Sequence, residues 1–319
     1  MAVGTPILIT VALIVLTIIA LHTSSIDTRT EAISVRADVN GITLSPNGNL
    51  LIVSYAGGGN ISIINLNHNN SQSSLPIQSD PFGMAFNSAG SRLYISNARS
   101  RFVTVVNTAT WKPLGTIAVG KWPRGVAVSS NNKYVYVANS LSNSVSIINT
   151  SNDKVVGHVS VGDNPSDIII NTLGTIGYVS NYGSNSVSVL NLRTQTVDAT
   201  ILVGANPYGL AINSAGTSVY VANGGGGTVS VINTKTDLVT NTITVGAYPY
   251  SIALDPSGQF AYVTDHNSNS VTVINTTTYA NAATIEVGAG PWDIIADAYN
   301  HKAYIANGNS HMISIISMG

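Results

Sequence analysis

Apolar residues alternate with small polar ones along most of the chain, in runs of about six residues separated by Gly, Ser, Asn and Asp. Between positions 208 and 245 the runs are Tyr208–Asn213, Ser218–Asn223, Thr228–Asn233 and Val239–Val245. Successive side chains on a strand face opposite sides of its sheet, so alternation over so short a stretch predicts half-buried β-strands. The intervening residues are those that tolerate tight turns.

The pattern repeats every 42 residues. Pro81, Pro123, Pro165, Pro207, Pro249 and Pro291 are evenly spaced at that interval, and Val39 holds the same phase one unit earlier. Thirteen residues past each proline stands Tyr94, Tyr136, Tyr178, Tyr220, Tyr262 or Tyr304, with Ile52 in the first copy. Three residues later come Asn97, Asn139, Asn181, Asn223, Asp265 and Asn307, and a run resembling "VSVIN" follows each time. Four short antiparallel strands in a unit of about 40 residues predict a β-propeller blade, so seven units predict an all-β, seven-bladed propeller. Residues 26–319 amount to seven repeats of 42. The last repeat ends after its third strand, while Glu31–Arg36 lies in the phase of the fourth. The N-terminal segment is therefore expected to supply the outer strand of blade seven and close the ring by backbone pairing.

The unit "PYGLAINSAGTSVYVANGGGGTVSVINTKTDLVTNTITVG", with "YVAN" at 136–139 and 220–223 and "YVTD" at 262–265, resembles the YVTN family of β-propeller repeats over residues 26–319. The resemblance implies a seven-bladed propeller of the kind frequent in exported and surface-layer-associated proteins of bacteria and archaea. Some seven-bladed propellers similar to this one are lactonases. Neither likeness implies one activity, because propellers are scaffolds whose function resides in their loops.

Residues 1–25 stand outside the repeat. No residue from Val3 to Leu21 is charged, and only Thr10 and Thr17 interrupt the apolar run from Ile7 to Leu21. As a helix, the whole uncharged stretch from Val3 to Leu21 would span ~28 Å, close to a hydrocarbon core. The segment reads as a membrane anchor through residues 3–21 with a short tether, or as a cleaved signal peptide. No Lys or Arg precedes it and no clear small-residue cleavage site follows Ala20, which favours the anchor. Either reading places the propeller at the cell envelope or outside it. Sequons at Asn60, Asn69, Asn149 and Asn275 fit an exported chain.

Composition narrows the chemistry. Charged residues make up only 8% of the chain, so Asn, Ser, Thr and Gly must carry its solubility. Thirteen basic against fourteen acidic residues leave no basic surface for nucleic acid. The absence of cysteine excludes disulfides, thiolate metal sites and Cys nucleophiles. Glutamate occurs only as Glu31 and Glu286, both in outer-strand phase, so a paired-Glu acid/base site has no candidates. No catalytic residues, resident metal or cofactor are expected.

In a propeller whose innermost strand comes first, the loops before the first strand and after the second share one face. Beside the prolines on that face sit Phe82, Trp122, Arg124, Tyr208, Tyr248, Tyr250 and Trp292; after the second strands come Arg99, Arg101, Tyr182, His266 and His311. Aromatic faces with a few Arg and Asn donors suit sugars or protein side chains. Each ring could equally cap the gap between blades as packing. Lys121, Trp122 and Arg124 depart most from the repeat. The opposite face offers only polar turns, with Asp255 and Asp297 as turn-formers.

Two residues past the prolines, where small residues suit a crowded channel mouth, stand Asp167 and Asp293. They could hold a cation with water, but two carboxylates are few for calcium. Bonding to neighbouring loop amides is the simpler role. His266 and His311 with Asp265 offer a weaker metal site. Gly224–Gly227 joins strand to strand rather than strand to helix, so it is no phosphate cradle; it leaves bare backbone on the candidate face. The favoured function is a non-catalytic binding or envelope-structural propeller that contacts a protein or glycan through that face. The alternative is a lactonase-like hydrolase or lyase around Asp167, Asp293 and His266.

Overall fold

A computed structural model of the protein describes residues 26–77 and 79–318. Seven four-stranded antiparallel sheets form the blades, and the first strands of neighbouring blades contact one another around an axis. Blade five is built from Pro207–Ile212, Ser218–Asn223, Thr228–Asn233 and Leu238–Thr244. Two of these match the alternation residue for residue, and the other two begin one residue early. The apolar segment 3–21 lies outside the described residues, among which no helix is long and apolar enough to cross a membrane.

The ring closes as the repeat phase predicts. Thr30–Ser34 pairs antiparallel with Met312–Ser317, setting Ile33 opposite Ile313, and forms the outer strand beyond Lys302–Asn307 and Pro291–Asp297. Ile33 and Val35 are buried in a core cluster with Tyr304 and Ile313 of blade seven and Val39, Leu51 and Val53 of blade one. One short strand thus stitches the two ends of the chain through both a ladder and a core.

Each of the seven apolar cores lies across a blade junction rather than inside a blade. Tyr136 packs with Ile168 and Val179 of the next blade, and Tyr262 with Ile294 and Ile305. The tyrosine phase is buried throughout. A large ring is needed there because twisted sheets splay apart with distance from the axis, and Ile52 fills the same place in blade one.

The inner strands pack tighter still. Every inner strand shifts register just after its first residue, a bulge that turns the third residue toward the next blade. A Cβ on Gly83 would lie 2.3 Å from the Arg124 carbonyl oxygen of blade three. Backbone cannot yield as a flexible side chain can, so Gly83→Ala should push blades two and three apart and cost ~2 kcal/mol or more. The denaturant midpoint tests this, and an unchanged midpoint would show that the junction adapts.

Candidate functional site

The axis is narrow and its polar groups are largely committed to holding blades together. Ser54, Ser96, Ser180 and Thr264 on second strands donate hydroxyls to the carbonyls of Phe82, Arg124, Tyr208 and Trp292, each in the following blade. Asp167 accepts the amides of Ile168 at 2.8 Å and of Leu210 in blade five at 3.1 Å. Asp293 accepts Ile294 N, the Ser251 hydroxyl at 2.9 Å and Ile42 N of blade one at 3.0 Å. Asp293 therefore bolts the same seam that the N-terminal strand closes.

Both carboxylates face an axial cavity of about 140 Å³. Burial raises the Asp167 pKa to about 6, against the lowering effect of its amide donors, and the Asp293 charge adds to the rise. Burial likewise raises Asp293. Among the described residues, no three His, Asp or Glu side chains are placed to hold a metal ion.

Above the channel the aromatic residues meet. Tyr208 is the hub: its ring lies 4.2 Å from Tyr250 in a stack, 4.9 Å from Tyr182 and 5.9 Å from Tyr248, to whose hydroxyl its own bonds at 3.1 Å. Tyr250 meets Trp292 edge-on at 4.3 Å, and Trp292 lies 4.2 Å from His266. At the other end the Arg124 guanidinium sits 5.0 Å from the Phe82 ring and 6.0 Å from Tyr208. Phe82, Arg124, Tyr182, Tyr208, Tyr250, Trp292 and His266 thus form one continuous arc, with Tyr248 as an additional member. Burial pushes the Tyr250 phenol up to about 12, raises Tyr208, and lowers His266, which favours its neutral ring.

Other candidates stand apart from the arc. Arg99 pairs with Asp80 at 3.2 Å and His311 with Asp38 at 2.9 Å, both largely exposed. Arg101 is exposed and joins none of these contacts. Gly224–Gly226 forms a single 3-10 turn, and Gly227 takes the left-handed φ of 59° that ends it.

Trp122 lines a separate groove of about 280 Å³ with Arg124, Ser140, Leu141, Asn164, Tyr182 and Tyr208. Its backbone φ is 56°, left-handed, as at Asn164, Asn206, Tyr248 and Gly290 in the same phase. Asn and Gly reach that region cheaply, whereas an aromatic residue carries a cost of about 1 kcal/mol. Trp111 and Tyr279 share this conformation on the opposite face, but both pack against blade cores. Trp122 remains 37% exposed and belongs to no core cluster.

The opposite face is less bland than its turns suggested. Asp255 and Asp297 cap turns through backbone amides, but Trp111, Phe86, Pro46 and Tyr299 also line a groove there of about 380 Å³. Those aromatics fall in different repeat phases, so no period brings them to attention.

A family model described as a YNCE-like β-propeller matches residues 70–170. The solved structure of Kuenenia stuttgartiensis hydrazine synthase superposes with a TM-score of 0.80 at 21% identity, covering 91% of this chain and 97% of that chain. That likeness concerns the fold. No curated protein matches the sequence.

Proposed function

We propose that this protein is a non-catalytic binding propeller of the cell envelope, of the YVTN-like surface type, held by residues 3–21 and contacting a protein or glycan through the aromatic face. The carrying observation is the arc itself. Each blade junction already has its own apolar core, yet blades two to seven each contribute to one polar-edged aromatic surface above the channel. Rings presented this way offer contact area at low entropic cost.

A hydrolase reading gains nothing from Asp167 and Asp293. Each accepts one backbone amide from another blade, Leu210 N on Asp167 and Ile42 N on Asp293, and the one hydroxyl bonded to them, that of Ser251, donates to Asp293 with no histidine bonded to it among the described residues. Their role is architectural.

The test compares the detergent-solubilised full chain with a Trp122→Ala, Arg124→Ala double variant on panels of defined glycans and isolated envelope proteins. At least a tenfold loss of retention is expected for the cognate class. Equal retention of both chains would remove this surface as the binding site.

A further inference from the structure

Arg124 is unusual among the cations of the described chain. It makes no ion pair and no side-chain hydrogen bond, and its Nε is buried without a partner. Cation–π contacts with Phe82 and Tyr208 hold its position but satisfy none of its donors. A buried donor without a partner is rare, and the Nη edge of the same guanidinium, which is not sealed from solvent, matches a planar carboxylate with two parallel hydrogen bonds.

The surroundings define what carries that carboxylate. The groove beside Arg124 is lined by the exposed Trp122 and Leu141, by Tyr182 and Tyr208, and by Asn164, whose side-chain amide makes no hydrogen bond among the described residues. A flat, polyhydroxylated ring fits such walls: its C–H faces lie on the aromatics and its hydroxyls meet Asn164 and the tyrosine edges. Asp167 and Asp293 deeper in the channel repel an anion, which keeps the charged group at the outer, Arg124 level.

We infer that the groove between blades three and four binds a uronic acid residue of an acidic glycan, its carboxylate on Arg124 and its ring against Trp122. This rests on the binding role proposed above and specifies its ligand class. It also accounts for the strained backbone of Trp122, which turns the ring outward where Asn or Gly would leave the groove without a wall.

Trigalacturonate and its fully methyl-esterified counterpart separate the charge from the shape. Titrated into the full chain by calorimetry and tryptophan fluorescence, the acid should bind about tenfold or more tightly than the ester. Arg124→Gln should bring acid and ester to equal affinity, Arg124→Lys should retain part of the preference, and Trp122→Ala should weaken both ligands. Unchanged melting of Arg124→Gln would show that the fold is intact; should it not fold, Arg124→Lys carries the comparison. Equal affinity for acid and ester, a preference that survives Arg124→Gln, or displacement only by a peptide with a free C-terminal carboxylate would overturn the assignment. If neither sugar binds but other partners are still lost on the Trp122, Arg124 double change, the uronate falls and the binding face stands. If the double change also has no effect, both fall.

Discussion

Removing residues 26–37 is expected to abolish cooperative melting of the propeller or to lower its midpoint by more than ten degrees. The segment does three things at one seam. It adds the five-residue ladder from Thr30 to Ser34, it buries Ile33 and Val35 between blades seven and one, and through Glu31 it approaches Lys302 at 3.4 Å. The ion pair is exposed and contributes little. Burial is the larger part, since each buried aliphatic side chain is worth ~1.5–3 kcal/mol. Without the strand, Met312–Ser317 becomes an open edge able to pair with a second molecule. A scanning calorimetry trace with an unchanged midpoint and enthalpy would show that the ring is held by its inner strands and by Asp293 alone.

The second large effect is a gain. Five blades place a buried asparagine at the end of the second strand, where its Nδ2 donates to a Ser or Thr hydroxyl on the third; Asn139 also reaches the Ser144 carbonyl. Blade six has Asp265 instead, fully buried, bonded to Thr272 at 2.6 Å and Ser270 at 3.4 Å. Burial raises its pKa from 3.8 to about 6, outweighing those hydroxyls. The folded state therefore holds this proton more tightly than the unfolded state does. Its cost is absent below pH ~4, grows as pH rises from 4 to 6, and is complete above 6, where it amounts to roughly 3 kcal/mol. Asp265→Asn should remove that cost, stabilising the protein by roughly 2–3 kcal/mol at pH 7.5 and by little at pH 4. Denaturant unfolding at the two pH values decides it, and equal or unfavourable shifts at both would show that the carboxylate is better satisfied than its partners indicate.

The closing strand was legible because a 42-residue period exposes both a missing fourth strand and a segment in the right phase. Asp265 was visible as a departure from the asparagine column, yet its meaning was not. Whether a carboxylate there is solvated or dry depends on Thr272, Ser270 and the packing above them, which the period does not report. Asp167 and Asp293 illustrate the same limit. Their departure from the small residues of their phase marked them, but only the register shift in the inner strands aims them at Leu210 and Ile42.

The binding face divides in the same way. Loop phase alone collects Phe82, Arg124, Tyr182, Tyr208, Tyr250, His266 and Trp292 on one side, because every blade presents its loops to the same face. It does not separate Arg99, already neutralised by Asp80, from Arg124, which is left without a partner. Trp111 and Tyr299 on the other face carry no such signal, because no repeat relation joins them.

By itself, the sequence determined the blade count, the strand set, the place of the tyrosines in the repeat and the closure of the ring. These follow from local alternation and a period that every copy repeats. Only the tertiary structure decided which polar groups are spent on holding blades together and which remain open to a ligand. That distinction depends on distances between residues 28 to 251 positions apart, and side-chain satisfaction is a property of the packed neighbourhood rather than of any one repeat.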